Sequence, residues 1–192
     1  MQAASKPKLI HLSFGPCSGC FRQTEAALSS IRGRLKGGTL IVSGLPSQMH
    51  VETIREAWGS LPEPKVVVAI GTCACGGGVF RGCYAFRDLS EIMPVRVRLP
   101  GCPPPEEAVL KAIMGEAASA TVEGYRGAPA LDESLCVACG LCVRVCPSGA
   151  LEGEEGEKPK LDQLACISCS RCEAICPRGA FKASSTFTVL LT

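Results

Sequence analysis

The chain has 192 residues, a formal net charge of +2, 14 cysteines and 5% aromatic residues. A near-neutral chain sets up no field that would gather nucleic acid or an anionic membrane, and so few aromatics argue against base stacking. The length suits one large or two small domains. No apolar run approaches a bilayer span, and residues 1–8 lack the apolar centre of a secretory leader. The expectation is therefore a cytoplasmic chain whose thiols stay reduced and free to bind metal.

Residues 8–14 (KLIHLSF) read as a first strand ending at Gly15-Pro16. Residues 21–35 place Ala26, Ala27, Ile31 and Leu35 at helical spacing, before Gly37-Gly38. A second strand is expected at 39–43 (TLIVS), then a helix from Ser47 to about residue 61 with Val51, Ile54 and Trp58 on one face. Residues 65–70 (KVVVAI) form a continuous apolar run of the kind buried on both faces of a parallel sheet. A glycine-rich loop follows at 71–78, a fourth strand at 95–99, and a helix over 106–118 opened by Pro105 and acidic residues. The alternation predicts an α/β domain with a largely parallel sheet over residues 1–120. Residues 121–133 read as a linker, 134–182 as a small second domain, and 183–192 as an apolar tail packing back on one domain or meeting a partner. Between the cysteine runs of the second domain, 152–160 is charged and reads as a hairpin or loop.

The second domain contains one motif written twice. Cys136, Cys139, Cys142 and Cys146-Pro147 follow the spacing C-x-x-C-x-x-C-x-x-x-C-P, and Cys166, Cys169, Cys172 and Cys176-Pro177 repeat it. The proline removes a backbone donor and fixes φ beside the fourth thiol. This stretch resembles a bacterial two-cluster ferredoxin. The resemblance implies a small α+β domain in which three cysteines of one run and the fourth of the other share each 4Fe–4S cluster. Cluster A would then take Cys136, Cys139, Cys142 and Cys176, and cluster B Cys166, Cys169, Cys172 and Cys146. Zinc knuckles use separate C-x-x-C pairs instead, and a disulfide scaffold requires an oxidising compartment.

Five of the other six cysteines fall at strand ends. Cys17 and Cys20 follow the first strand, Cys73 and Cys75 the third, and Cys102 the fourth, with Cys83 further along. In a parallel sheet these loops share the carboxyl edge, where α/β folds bind ligands. Cys17-x-x-Cys20, Gly71-Thr-Cys73-Ala-x-Gly76-Gly77 and Gly101-Cys102-Pro103-Pro104 resemble the proximal-cluster site of the nickel–iron hydrogenase small subunit and of its complex I 20 kDa homologue. The resemblance covers most of residues 8–118. It implies a flavodoxin-like parallel-sheet domain with a proximal 4Fe–4S cluster on Cys17, Cys20, Cys73 and Cys102. The C-x-x-C spacing is that of hydrogenases; the complex I homologue has adjacent cysteines there. Cys75 is the alternative to Cys73, but the Gly-Thr-Cys-Ala context favours Cys73. Cys75 and Cys83 read as packed thiols. Phe21 stands where the family often has an acidic or small polar residue. His11 and His50 read as structural, and Arg22, Arg81, Arg144, Arg171 and Arg178 as charges near the cluster sites.

Nothing in the sequence resembles a substrate-transforming site, and G-x-G-x-x-G is absent after the first strand. The resemblances imply a non-catalytic electron-transfer subunit carrying three 4Fe–4S clusters on twelve cysteines, inside a nickel–iron hydrogenase-like oxidoreductase complex. Its partners would be a large catalytic subunit and a further electron-transfer subunit, flavoprotein or ferredoxin, with neither nucleic acid nor a membrane span of its own. Deazaflavin-reducing and energy-converting hydrogenases use such parts, and a fused ferredoxin module is most similar to the former. The alternatives are the equivalent subunit of a complex I-related or sulfur-reducing complex without nickel, and a free-standing cluster carrier.

Overall fold

The computed structural model describes residues 8–15, 17–31, 37–115 and 119–191. Residues 1–7 and the expected helix ends at 32–35 and 116–118 lie outside that range.

The first half alternates strand and helix. Strand β1 (Lys8–Phe14) leads to helix α1 (Gly19–Ser30), then β2 (Gly38–Gly44), a 3-10 turn at Gln48–His50, α2 (Val51–Gly59) and β3 (Lys65–Ile70). Next come α3 (Thr72–Gly76), a 3-10 turn at Gly78–Phe80, α4 (Leu89–Ile92), β4 (Val97–Leu99) and α5 (Glu106–Ile113). The Ser47 hydroxyl meets His50 Nδ1 at 3.0 Å instead of capping the helix backbone. The remaining elements are β5 (Ser119–Thr121), β6 (Ala130–Leu131), α6 (Leu141–Val145), β7 (Leu151–Glu152), β8 (Lys160–Leu161), α7 (Arg171–Ile175), β9 (Phe181–Lys182), β10 (Thr186–Thr188) and β11 (Leu190–Leu191).

The protein is mixed α/β with a parallel-sheet core. Strands β1 to β4 are parallel and β11 closes the sheet antiparallel to β4, in the order β1-β2-β3-β4-β11. One face packs Ile41, Val68 and Leu99 against α1 and α5; the other packs Leu40, Val67 and Ala69 against α2 and α4. The flavodoxin-like expectation requires the first strand between the second and third. Here β2 holds that place. Its residues 38–43 are all buried, which suits a strand paired on both sides, whereas β1 carries Lys8, His11 and Ser13 and stays partly exposed at the edge.

Two further differences bear on function. The stretch expected as a glycine-rich loop contains α3, bracketed by Gly71 and Gly77 at φ 88° and 81°. Positive φ at both ends lets the chain enter and leave a five-residue helix abruptly. The apolar tail is the edge of the main sheet: β11 pairs with β4, and β10 pairs with β5.

The cysteine repeat is visible in the backbone. Ala138 and Ser168 have φ 54° and 55°, Gly140 and Ser170 69° and 60°, and Gly149 and Gly179 59° and 60°. The repeat extends outward to the ladders β6–β9 and β7–β8, where Asp132 N–H donates to Ala180 O and Asp162 N–H to Ala150 O at 2.7 and 2.8 Å. Residues 153–159 form the hairpin connection between β7 and β8, with Glu152 and Lys160 paired in the ladder.

Candidate metal centres

Three groups of four thiols emerge from this framework. At the carboxyl edge of the main sheet, the loop after β1 and the first turn of α1 bring Cys17 and Cys20 together with Cys73 of α3 and Cys102 after β4. All four line one cavity of about 290 Å³, with Thr72, Gly101 and Phe21. Gly71 is required there: a Cβ at this position would run into Cys20 Sγ. The buried Arg98 steadies the far end of α3, donating from Nη1 to Cys75 O at 2.9 Å, while its Nη2 lies 3.5 Å from Asp88 Oδ1. Burial is the largest influence on Cys20, Cys73 and Cys102. With repulsion from Cys73, Cys102 and Cys17 it pushes Cys20 up to about 12, and with repulsion from Cys102 and Cys17 it pushes Cys73 up to about 11. Cys102 is raised by burial and by Cys17. Thiols that repel one another across a shared space are a donor set suited to a cationic centre, which binds them as thiolates.

The other two groups follow the crossed pattern. Cys136, Cys139, Cys142 and Cys176 line one enclosed cavity of about 20 Å³, and Cys146, Cys166, Cys169 and Cys172 line a second of the same size. In each, the fourth cysteine is shifted the opposite way: Cys176 from Cys142, and Cys146 from Cys166 and Cys172. Burial raises Cys176, but backbone N–H groups of Ala180, Arg178, Phe181 and Gly179 outweigh it and hold the thiol below its usual value. The Ala180 contact is 3.3 Å. Cys146 is likewise raised by burial and lowered further by Leu151, Ser148 and Ala150. By contrast Cys142, Cys166 and Cys172 are raised by burial, Cys172 to about 11. The turn after each Cys-Pro thus forms a nest of N–H donors around one sulfur, the kind of contact that tunes a thiolate-held cluster.

Among the described residues, no three of His, Cys, Asp and Glu converge tightly enough to hold a single ion. All-thiol sets arranged around a space suit a polynuclear iron–sulfur centre, whose corners are spread apart.

A family profile described as "NADH ubiquinone oxidoreductase, 20 Kd subunit" matches residues 4–115. The chain belongs to this family. A second profile, "4Fe-4S dicluster domain", matches residues 118–181, so 4Fe–4S binding is part of what the chain does. Among curated relatives, a probable membrane-bound hydrogenase subunit of Pyrococcus furiosus is 32% identical over 120 residues, 56% of this chain and 72% of that one. An NADH-quinone oxidoreductase subunit of Geotalea daltonii is 41% identical over 75 residues, 39% of this chain and 44% of that protein. The match therefore spans less than half of the latter. A chain from the membrane-bound sulfane sulfur reductase, an archaeal respiratory membrane complex, aligns with TM-score 0.41 and 23% identity, covering 56% of this chain and 68% of that one.

Several residues fall in places that the motifs alone do not indicate. Cys75, the alternative to Cys73, does not line the cavity; it is fully buried in the core below α2 and donates to Ala69 O at 3.5 Å. Cys83, expected to be packed, is exposed. Phe21 lines the cavity and stacks on His11, with ring centroids 5.4 Å apart. His11 also joins β1 to its neighbours, meeting Glu25 Oε1 and Ser43 Oγ at 3.0 Å each. Arg81 pairs with Asp162 at 2.8 Å and Glu152 at 3.5 Å, tying the loop after α3 to the cysteine repeat. Thr72 enters the sequence motif only as context for Cys73. Its partner Cys166 is 94 positions away, a separation no local pattern encodes. Among the described residues, no helix is long and apolar enough to cross a membrane.

Proposed function

We propose that this chain is the electron-transfer subunit of a nickel–iron hydrogenase-like complex, holding three 4Fe–4S clusters on twelve of its cysteines. A bound 4Fe–4S cluster supplies a one-electron redox couple. The observation that carries the reading is the set of four thiols around one cavity at the sheet edge, beside the crossed cysteine pairs of an α+β, two-cluster ferredoxin-like domain. The inner ligands would be Cys17, Cys20, Cys73 and Cys102. Those of cluster A would be Cys136, Cys139, Cys142 and Cys176, and those of cluster B Cys166, Cys169, Cys172 and Cys146. The chain's own residues bury Cys142 and Cys172 and partly bury Cys20 and Cys73, aim N–H donors at Cys146 and Cys176, and hold the inner site at the edge of the parallel sheet. Cys17 and Cys102 are exposed, which supports a large catalytic subunit covering this edge. A further electron-transfer subunit, flavoprotein or ferredoxin would exchange electrons at the repeat. The complex would lie in the cytoplasm, meeting the membrane through other subunits.

The second reading is the equivalent subunit of a complex I-related or sulfur-reducing complex without nickel. It is compatible with the family description and with the 41% identity to an NADH-quinone oxidoreductase subunit; the Cys17-x-x-Cys20 spacing favours the hydrogenase branch. Anaerobic capture of the tagged chain, identification of what binds it, nickel analysis and a hydrogen-uptake assay decide between them. A nickel-containing complex that consumes hydrogen is the expected result. A complex with neither nickel nor uptake moves the assignment to the second reading, and a chain captured alone contradicts both.

A further inference from the structure

Thr72 is buried, at 1% exposure, between Gly71 and Cys73. Its hydroxyl donates to Cys166 O at 2.9 Å and accepts from Gly101 N–H at 3.0 Å. Its own backbone N–H donates to Gly101 O at 2.9 Å. One side chain therefore joins three loops that each carry a cysteine: Cys73 beside it, Cys102 beside Gly101, and Cys166 in the repeat. A buried hydroxyl is costly unless it is paired, so a threonine here is tied to these two bonds rather than to packing.

The contacts around Thr72 fall on the same copy of the repeat. A Cβ on Gly76 would lie 2.8 Å from Leu164 O and 3.1 Å from Ala165 N, so glycine is what lets α3 approach that loop. A Cβ on Gly78 would lie 3.5 Å from Ile167 Cγ2 and 3.6 Å from Cys73 Sγ, which puts the inner site and the Cys166 loop beside the same glycine. Arg81 holds Asp162 and Glu152, and Arg126 reaches Ser170 and Glu173.

We propose that Thr72 is a positioning residue that fixes the Cys146/Cys166/Cys169/Cys172 site against the inner site, making it the middle station of the chain and the Cys136/Cys139/Cys142/Cys176 site the outer one. This rests on the three-cluster reading above and adds the order of the sites and the residue that sets it. Removing the hydroxyl leaves Gly101 N–H and Cys166 O without partners in a dry contact, while serine keeps both bonds.

The test uses the full chain, purified anaerobically with any partner that accompanies it, as wild type, Thr72→Val and Thr72→Ser. Iron and sulfide content report loading. Amide hydrogen exchange at Gly101 reports the bond Thr72 accepts. Electron paramagnetic resonance of dithionite-reduced protein reports magnetic interaction between neighbouring reduced clusters. Thr72→Val is expected to keep its iron and sulfide, exchange the Gly101 amide about tenfold faster and weaken the interaction at the inner cluster, with Thr72→Ser close to wild type. Unchanged exchange and unchanged interaction in a loaded Thr72→Val protein overturn the proposal. Two variants with native Thr72 keep the order testable should Thr72→Val fail to fold. Cys139→Ser should leave the interaction at the inner cluster and Cys169→Ser should abolish it; the reverse pattern overturns the order. Wild-type protein lacking iron and sulfide contradicts the three-cluster reading instead, and the exchange measurement then still decides whether Thr72 holds the Gly101 loop.

Discussion

The two copies of the cysteine motif have nearly the same backbone and very different neighbours. At equivalent positions, Leu135 is 36% exposed and Ala165 fully buried, and Val137 is 58% exposed where Ile167 packs against Gly78. Asp132 and Asp162 both accept from a backbone N–H two residues on, but Asp132 then pairs with Lys182 within the repeat and Asp162 with Arg81 across to the main sheet. The local interactions of each copy are set by its own sequence and are therefore shared. The asymmetry comes from docking: one copy is pressed onto α3 and the other faces outward. A duplicated module thus acquires a direction without changing its internal geometry.

Several changes would break or sharpen this comparison. The largest effect is expected from removing single thiols. Cys139→Ser and Cys169→Ser should each lower iron content by about four per chain, measured by metal analysis. Next is Gly76→Ala, which forces a Cβ against the Leu164–Ala165 backbone and should lower unfolding stability by about 2 kcal/mol. The matched pair Gly149→Ala and Gly179→Ala, with φ 59° and 60° and open space around both, should each cost about 1 kcal/mol and differ little from one another in denaturant titrations. Arg81→Met should cost under about 1 kcal/mol and Lys182→Met less still, because both pairs are partly solvent-screened and the lysine is the more exposed.

The thiols give a pH prediction of both signs for the metal-free chain. Cys20 and Cys73 sit above their unfolded value, so their contribution to stability is complete below about pH 9 and is lost as pH rises through about 11 to 12. Cys146 and Cys176 sit below theirs, so their contribution is present above the unfolded value and is lost as pH falls through their lowered folded values. Unfolding of the apo protein should therefore become easier on going from pH 9 to 11. At pH 8, alkylation followed by mass spectrometry should modify Cys176 about tenfold faster than Cys20.

Much of the local structure was legible because it is written locally. The bounds of β1 and β3 follow from apolar runs closed by glycine, while the crossed thiol sets are what the resemblance of the doubled motif to a two-cluster ferredoxin implies. Other features depend on distant partners. The order of β1 and β2 turns on which strand is buried on both sides, and the continuous apolar run of β2 against the polar interruptions of β1 was the available signal. The role of Leu190 and Leu191 as sheet edge depends on β4, far away in the chain. Helix α3 was hidden by its glycines, which usually mark loops but here bracket a helix. Thr72 was visible only as motif context for Cys73, because its bond to Cys166 joins positions 94 apart.

The central claim is that three four-thiol sites each hold a 4Fe–4S cluster, and the stoichiometry of the anaerobically purified full chain tests it most directly. The expected result is about twelve iron and twelve acid-labile sulfide per chain. Zinc without sulfide would contradict the claim outright, and about eight of each would contradict the inner site at Cys17, Cys20, Cys73 and Cys102.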